Sequence, residues 1–264
     1  MMMNLSHVRG VFFRYYYTLL KGPHQLTDLF YWPLVDIILW GLTSIWVQNQ
    51  SANQVSNLPL ILMTGLIFWQ VAWRGSIDIS FNLLQEFWNR NMVNLFSTPL
   101  KTSEWVAGVI LLCLCKLVVT IAFGALMVYL LYSLNIFTLG WAFLPLAALL
   151  LVFGWTLGFL AAGIIIYWGH QVEMLAWMVG FLFAPFSAVF YPVYVLPIWA
   201  QKISWSLPTT YVFEGMRLIL NGSPFPISFA IYSALLNIVY LMGAVYFFLW
   251  MFKKSRMKGL GRLE

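Results

Sequence analysis

The sequence predicts an all-α polytopic membrane protein, with an N-terminal amphipathic interface helix, six transmembrane helices and a re-entrant helical segment before the sixth span. Three observations carry that expectation. Six apolar runs reach about the twenty residues that a helix needs to cross a hydrocarbon core. With 62% hydrophobic and only 8% charged residues, the chain has too little polar surface for a soluble globular domain. Finally, residues 185–222 are too apolar for a soluble loop, yet carry Pro185, Pro192, Pro197 and Pro208, each costing a continuous helix a backbone hydrogen bond.

The first element occupies residues 1–24. Read at 100° per residue, Val8, Val11, Phe12, Tyr15 and Leu19 share one face, with His7, Arg14, Thr18 and Lys21 opposite. Such a helix suits the membrane interface, the plainer alternative being a juxtamembrane stub. Arg9 and Arg14 interrupt any signal-peptide core, and Pro23 ends the helix. Residues 25–252 then form one transmembrane domain. Its spans are residues 29–47, 58–81, 105–132, 141–168, 174–195 and 227–252, and residues 253–264 form a basic tail.

Between the second and third spans, residues 87–98 read as a short cytoplasmic helix closed by Pro99. Phe87, Met92, Leu95 and Phe96 recur at helical spacing, while Asn89, Arg90, Asn91 and Asn94 offer hydrogen bonds. This helix fits either a partner's groove or the lipid interface. In the fourth span, Gly154 and Gly158 form a small-xxx-small pair, read as close helix packing. For residues 185–222 the economical solution is a chain that enters the membrane and returns on one face, its irregular backbone covered by neighbouring helices.

Charge sets the topology. Arg9, Arg14 and Lys21 precede the first span, Arg90 and Lys101 lie between the second and third, and Lys253, Lys254, Arg256, Lys258 and Arg262 follow the sixth. Residues 48–57 and 133–140 carry no charge. The positive-inside rule therefore makes both termini cytoplasmic. The net charge of +6 reports this topology and does not call for a nucleic-acid partner. Cys113 and Cys115, two apart on one helix, point away from each other and suit neither a disulfide nor a metal.

Asp36, Arg74 and Asp78 fall inside apolar runs. At about 1.5 Å per residue, Asp36 and Arg74 reach similar depths, and Asp78 follows one helical turn on. An Asp36–Arg74–Asp78 cluster would neutralise charges that cost about 2.5 kcal/mol or more each when isolated in lipid. It would act as a clasp between the first two spans, or as the polar lining of a substrate entrance. Lys116 is expected to snorkel to the surface, and His170 and Glu173 to be solvated in a short turn. Enzymatic readings fail. There is no G-x-S-x-G elbow, His7, His24 and His170 lack metal-ligand spacing, and Arg74 argues against a proton-sharing Asp36–Asp78 pair. No phosphate loop occurs, so any ATP is hydrolysed by another polypeptide.

Two stretches carry a resemblance. One runs Pro185-Phe-Ser-Ala-Val-Phe-Tyr-Pro-Val-Tyr-Val-Leu-Pro-Ile-Trp199 and is followed by Leu207-Pro-Thr-Thr-Tyr-Val-Phe-Glu-Gly-Met-Arg217. The other is Asn94-Leu-Phe-Ser-Thr-Pro-Leu100 with Glu104. In this order, over essentially the whole chain, they resemble the membrane permease subunit of type-2 ABC exporters. The resemblance implies a homodimer bound to two copies of a separate ABC ATPase, which holds the ATP and Mg; this chain would bind no cofactor or metal. Arg90, Asn91, Met92, Asn94, Leu95 and Phe96 would form the coupling contact. Residues 191–217 would form paired short helices, with Tyr211, Glu214 and Arg217 at an outer gate. Glu214 and Arg217 also fit a plain i,i+3 ion pair. The implied cargo is a hydrophobic or amphipathic molecule (drug, lipid or lipid-linked glycan) exported across the inner membrane. The rival readings are an ion-coupled secondary transporter using Asp36, Arg74 and Asp78, and a membrane scaffold without transport.

Overall fold

Asn4 starts the first helix, its side-chain oxygen accepting the Ser6 N–H at 3.1 Å, as an N-cap does. In the computed structural model, which describes residues 4–50 and 57–258, everything regular is helical, and the described residues contain no strand. The helices are α1 (Leu5–Lys21), α2 (Pro23–Gln50), α3 (Leu58–Trp88), α4 (Met92–Ser97), α5 (Thr102–Tyr132), α6 (Phe143–Trp168), α7 (Met174–Phe183), α8 (Ile198–Ser206), α9 (Pro208–Leu220) and α10 (Ile227–Lys258). Short 3₁₀ turns at Ile136–Ala142, Ala184–Phe186 and Val193–Val195 join them. The last part of the expected basic tail, residues 259–264, lies outside the described residues.

Five stretches are long and apolar enough to cross a membrane: Leu26–Gln50, Leu58–Trp88, Thr102–Tyr132, Ile136–Trp168 and Ile227–Met257. By length and composition the chain is a membrane protein. Two expected boundaries change, and one expected face packs differently. The run expected over residues 174–195 yields only the ten-residue α7 before Pro185 turns the chain into 3₁₀ geometry. The helix expected over residues 87–98 shrinks to Met92–Ser97, because Phe87 and Trp88 still belong to α3. There α3 closes in a Schellman arrangement, with Arg90 at φ 49°, its N–H on the Phe87 carbonyl and the Asn91 N–H on the Glu86 carbonyl, both at 2.9 Å. The apolar face of α1 is not spent on lipid. Val8, Val11, Tyr15 and Leu19 are buried, and Val11 packs against the bare backbone of Gly108 on α5.

α3 and α6 form the centre. Their apolar windows are 83% and 72% buried, against 22% for α2 and 28% for α10. α2, α5 and α10 turn Leu39, Leu42, Trp46, Val118, Leu130, Leu235 and Val239 outward, as lipid-facing helices do. The core has two main layers and a small third cluster of Phe153, Leu157 and Leu207. At the basic end, Tyr15, Leu83, Phe87, Trp105, Ile165 and Phe248 draw together α1, α3, α5, α6 and α10. Towards the opposite end, Ile37, Phe68, Val71, Leu117, Leu150 and Phe213 draw together α2, α3, α5, α6 and α9.

Glycine makes the central crossing possible. A Cβ on Gly154 would sit 2.3 Å from the Ala72 carbonyl oxygen, one on Gly158 2.8 Å from that of Ser76, and one on Gly75 2.9 Å from that of Leu151. The expected role of Gly154 and Gly158 in packing is therefore met by backbone-to-backbone contact. Gly154→Val should destabilise the fold by at least the ~1–3 kcal/mol typical of overpacking. Gly10→Ala, with nothing within 4 Å, should be neutral or slightly stabilising. Thermal unfolding in detergent checks both.

Candidate functional site

α2 and α7 flank the half of α3 that leads to the basic end, and a cleft of two adjoining chambers lies between them. The first, about 470 Å³, is lined by Asp28, Trp32 and Asp36 of α2, Trp69, Gln70, Trp73 and Arg74 of α3, and Trp177 and Phe181 of α7. The second, about 570 Å³, shares Asp28, Trp32 and Trp177 and continues past Asp78, Phe81, Lys116 and Gln85 to Trp88 and Asn89. Helical periodicity builds both walls. Asp28, Trp32 and Asp36 are four apart on α2, as are Trp69, Trp73, Ile77 and Phe81, and Gln70, Arg74 and Asp78, on α3. Trp73 packs on Phe181 at 4.7 Å between ring centroids and Phe81 on Trp177 at 5.7 Å, so aromatic contacts hold α7 against α3.

The charges in this cleft pair differently from the expected Asp36–Arg74–Asp78 cluster. Arg74, fully buried, places one terminal nitrogen 2.6 Å from the Asp28 carboxylate and the other 2.5 Å from the Asp28 carbonyl oxygen. α2 begins at Pro23, so Asp28 is already helical and meets Arg74, while Asp36 lies two turns further along and accepts from the Gln70 amide at 3.2 Å. Asp78 pairs with Lys116 of α5. Lys116 does not snorkel; it is buried across the helix interface, where this carboxylate compensates its charge. Among the described residues, Arg74 Nε and the second Asp78 carboxylate oxygen are buried without a hydrogen-bond partner.

At the basic end a second constellation forms around Glu86, also buried. Its carboxylate accepts from Arg14 at 2.7 Å, from the Tyr15 hydroxyl at 2.7 Å and from the Asn91 amide at 2.6 Å. The Trp105 indole N–H donates to the same Tyr15 hydroxyl at 2.9 Å. One carboxylate thus joins α1, α3, α5 and the turn into α4. Burial, then the nearby Glu86 charge, push the Tyr15 phenol above its ordinary pKa. Glu104 ties α1 down again, accepting from the Asn4 N–H at 2.8 Å, the Lys101 N–H at 3.1 Å and contacting His7 Nδ1 at 2.9 Å.

Of the expected coupling residues, Arg90 and Asn94 are exposed and Asn91 is half-buried in the Glu86 constellation. Leu95 turns into the core, so it cannot present an apolar edge to a partner. The side chains of Met92 and Phe96 lie outside the described residues, as does that of His170. Glu173, expected to be solvated, accepts from the Trp88 indole at 3.0 Å.

At the other end, the expected gate residues act as staples. Arg217 donates to the carbonyls of Ala188, Val189 and Tyr191, and Glu214 accepts the Val193 N–H at 2.7 Å. The i,i+3 pair between them measures 3.3 Å. Together they fasten residues 188–193, including Ala188 at φ 57°, onto α9. Tyr211 donates to the Trp205 carbonyl at 3.0 Å and packs edge-on to Trp205 and Phe229 and tilted against Tyr232.

Asp28, Lys116 and Glu86 are the members of these charged clusters whose partners the sequence does not reveal. Asp28 precedes the first uncharged run, but its spacing of four and eight residues from Trp32 and Asp36 was the available signal. No signal in the chain joined Lys116 to Asp78, or Glu86 to Tyr15, since those partners lie on helices far apart in sequence. The chain matches no family model and no curated protein.

Two predictions follow from these pairs. Lys116→Met should cost about 3–5 kcal/mol by stranding Asp78, and Lys116→Met with Asp78→Leu should recover much of it; chemical unfolding in detergent measures both. The raised Tyr15 pKa stabilises the fold fully below the ordinary tyrosine value of about 10. That contribution is lost as pH rises beyond it, by up to about 1.4 kcal/mol per pH unit. Between roughly pH 10 and 12, the wild type should therefore lose stability more steeply than Tyr15→Phe, read as melting temperature against pH.

Proposed function

We propose that this chain is the permease subunit of an ATP-driven exporter of the type-2 ABC kind, moving a hydrophobic or amphipathic molecule from the cytoplasm or inner leaflet outward. In this reading α7 with Ala184–Phe186 is the fifth of six spans, α8 and α9 are the re-entrant pair, and the basic end is cytoplasmic with both termini. The chain is inserted in the inner membrane as a homodimer, and two copies of a separate ATPase subunit bind ATP and Mg.

The observation that carries the reading is the Glu86 constellation. α4 stands at the basic end with Asn94, Ser97 and Thr98 exposed, and the turn before it exposes Arg90. Through Asn91 and Glu86 that turn is tied to α1, α3 and α5 within hydrogen-bonding distance. Displacement of α4 by a nucleotide-driven partner would be transmitted to α3, whose half nearest the basic end walls the aromatic cleft. The staples from Glu214 and Arg217 hold residues 188–193 on α9, so the same motion would reach the far end through helices rather than loops. The ion-coupled alternative rests on Asp36: among the described residues it has no salt-bridge partner, as a proton-carrying acid would require.

The test is co-purification with the candidate ATPase in lipid nanodiscs, followed by ATP turnover. Wild type should form a stable complex and hydrolyse ATP. Arg90→Glu combined with Asn94→Lys, both surface changes, should lower turnover at least about tenfold with an unchanged melting temperature, a coupling loss of ~1.4 kcal/mol. A complex that never forms, or a variant with full turnover, overturns the assignment.

A further inference from the structure

We propose that the cleft between α2, α3 and α7 is a binding site for a lipophilic organic cation, with Asp36 as counter-charge and the indoles of Trp32, Trp69 and Trp73 as its cage. As an assignment of cargo this rests on the exporter reading; as a binding site it does not.

The charges decide the ligand's sign. Five ionisable side chains line the two chambers: Asp28, Asp36, Asp78, Arg74 and Lys116. Arg74 is balanced by Asp28 and Lys116 by Asp78. Asp36 is left over, half-buried and held, among the described residues, by the neutral Gln70 amide alone. The cleft therefore carries one uncompensated negative charge beside electron-rich ring faces, which attract a cation and repel an anion. The second Asp78 oxygen, on a side chain only 1% exposed, meets no hydrogen-bond geometry among the described residues and lies near the Cys113 thiol, in the adjoining chamber. Arg74 Nε is also unpartnered, but its charge is already neutralised, so it asks for a neutral acceptor such as water and not for an anion.

Shape and polarity decide the rest. The rim is apolar, with Trp32 58% and Phe181 63% exposed, and the half-buried Asp36 carboxylate lines the same chamber. A ligand must bring an apolar body to the rim and a charge to the interior. A sugar would stack equally well on the indoles, yet it needs several free polar groups for its hydroxyls. In the first chamber, Gln70, Asp28 and Arg74 are already engaged with one another or with Asp36.

Tetraphenylphosphonium and tetraphenylborate are close in size and shape and opposite in charge, so they isolate the electrostatic claim. Binding of radiolabelled tetraphenylphosphonium would be measured by equilibrium dialysis. The chain alone would sit in zwitterionic-lipid nanodiscs, with empty nanodiscs subtracted. Wild type should bind saturably and tetraphenylborate should fail to compete. Asp36→Asn should bind about tenfold more weakly, a loss of ~1.4 kcal/mol, and Asp36→Glu should retain most of the affinity. Trp73→Leu, which keeps an apolar wall but removes a ring face, should weaken the cation several-fold. Should Asp36→Asn fail to fold, Trp73→Leu and the borate competition still decide. No binding above empty nanodiscs, equal competition by the borate, or wild-type affinity in folded Asp36→Asn would overturn the site. Because no ATPase is present, loss of ATP turnover and loss of cation binding remain separate results.

Discussion

The fold depends on one conflict: α3 is the most deeply buried of the long helices, yet it carries Arg74, Asp78 and Glu86. A buried charge is tolerated only when a partner and hydrogen bonds replace its water. Each of the three draws that partner from a different helix. Asp28 comes from α2, Lys116 from α5 and Arg14 from α1. These ion pairs act as pins that set where the surrounding helices sit along α3. Apolar contacts alone would leave that register loose, since apolar side chains of similar size interchange at modest cost.

The other side of α3 solves a different problem. Gly75 meets Gly154 so closely that carbonyl oxygens occupy the space of missing side chains. With one flank pressed backbone-to-backbone on α6, α3 has its charged flank committed to α1, α2 and α5. Between α2 and α7 its packing is incomplete, and there the space is filled by indole rings around a cleft instead of by aliphatic side chains. The cleft lies beside the same ion pairs that fix the helices, so a helix displacement that strained the Arg74–Asp28 or Lys116–Asp78 pair would alter the cleft's field as well as its shape.

The two ends of the bundle are built on different devices. At the basic end a single carboxylate, Glu86, gathers donors from α1, α5 and the turn into α4, and Glu104 adds a second tie to α1. At the other end an arginine, Arg217, reaches three backbone carbonyls of a segment that has few hydrogen bonds of its own. Both devices bring irregular backbone under the control of a helix, which an apolar environment demands because no water is there to satisfy the chain.

Much of the fold was legible in the chain. Apolar runs separated by uncharged or basic connections give the long helices, the shared face of Val8, Val11, Phe12, Tyr15 and Leu19 gives α1, and the spacing of Gly154 and Gly158 marks a close helix contact. The failures share a cause. The run over residues 174–195 was read by hydropathy, which does not register that Pro185 stops a helix already ten residues long. Depth along the helices, a one-dimensional measure, matches Asp36 to Arg74, whereas the partner is chosen by azimuth around two helices, and that favours Asp28. Snorkelling to the surface is the local solution for Lys116, because its partner lies thirty-eight residues away on α3. Sequence periodicity fixes which residues share a face of one helix, because a helix repeats locally. Which faces meet is settled only when helices pack, and so the choice of Asp28, Lys116 and Arg14 as partners, and the cleft that choice leaves open, belonged to the tertiary structure.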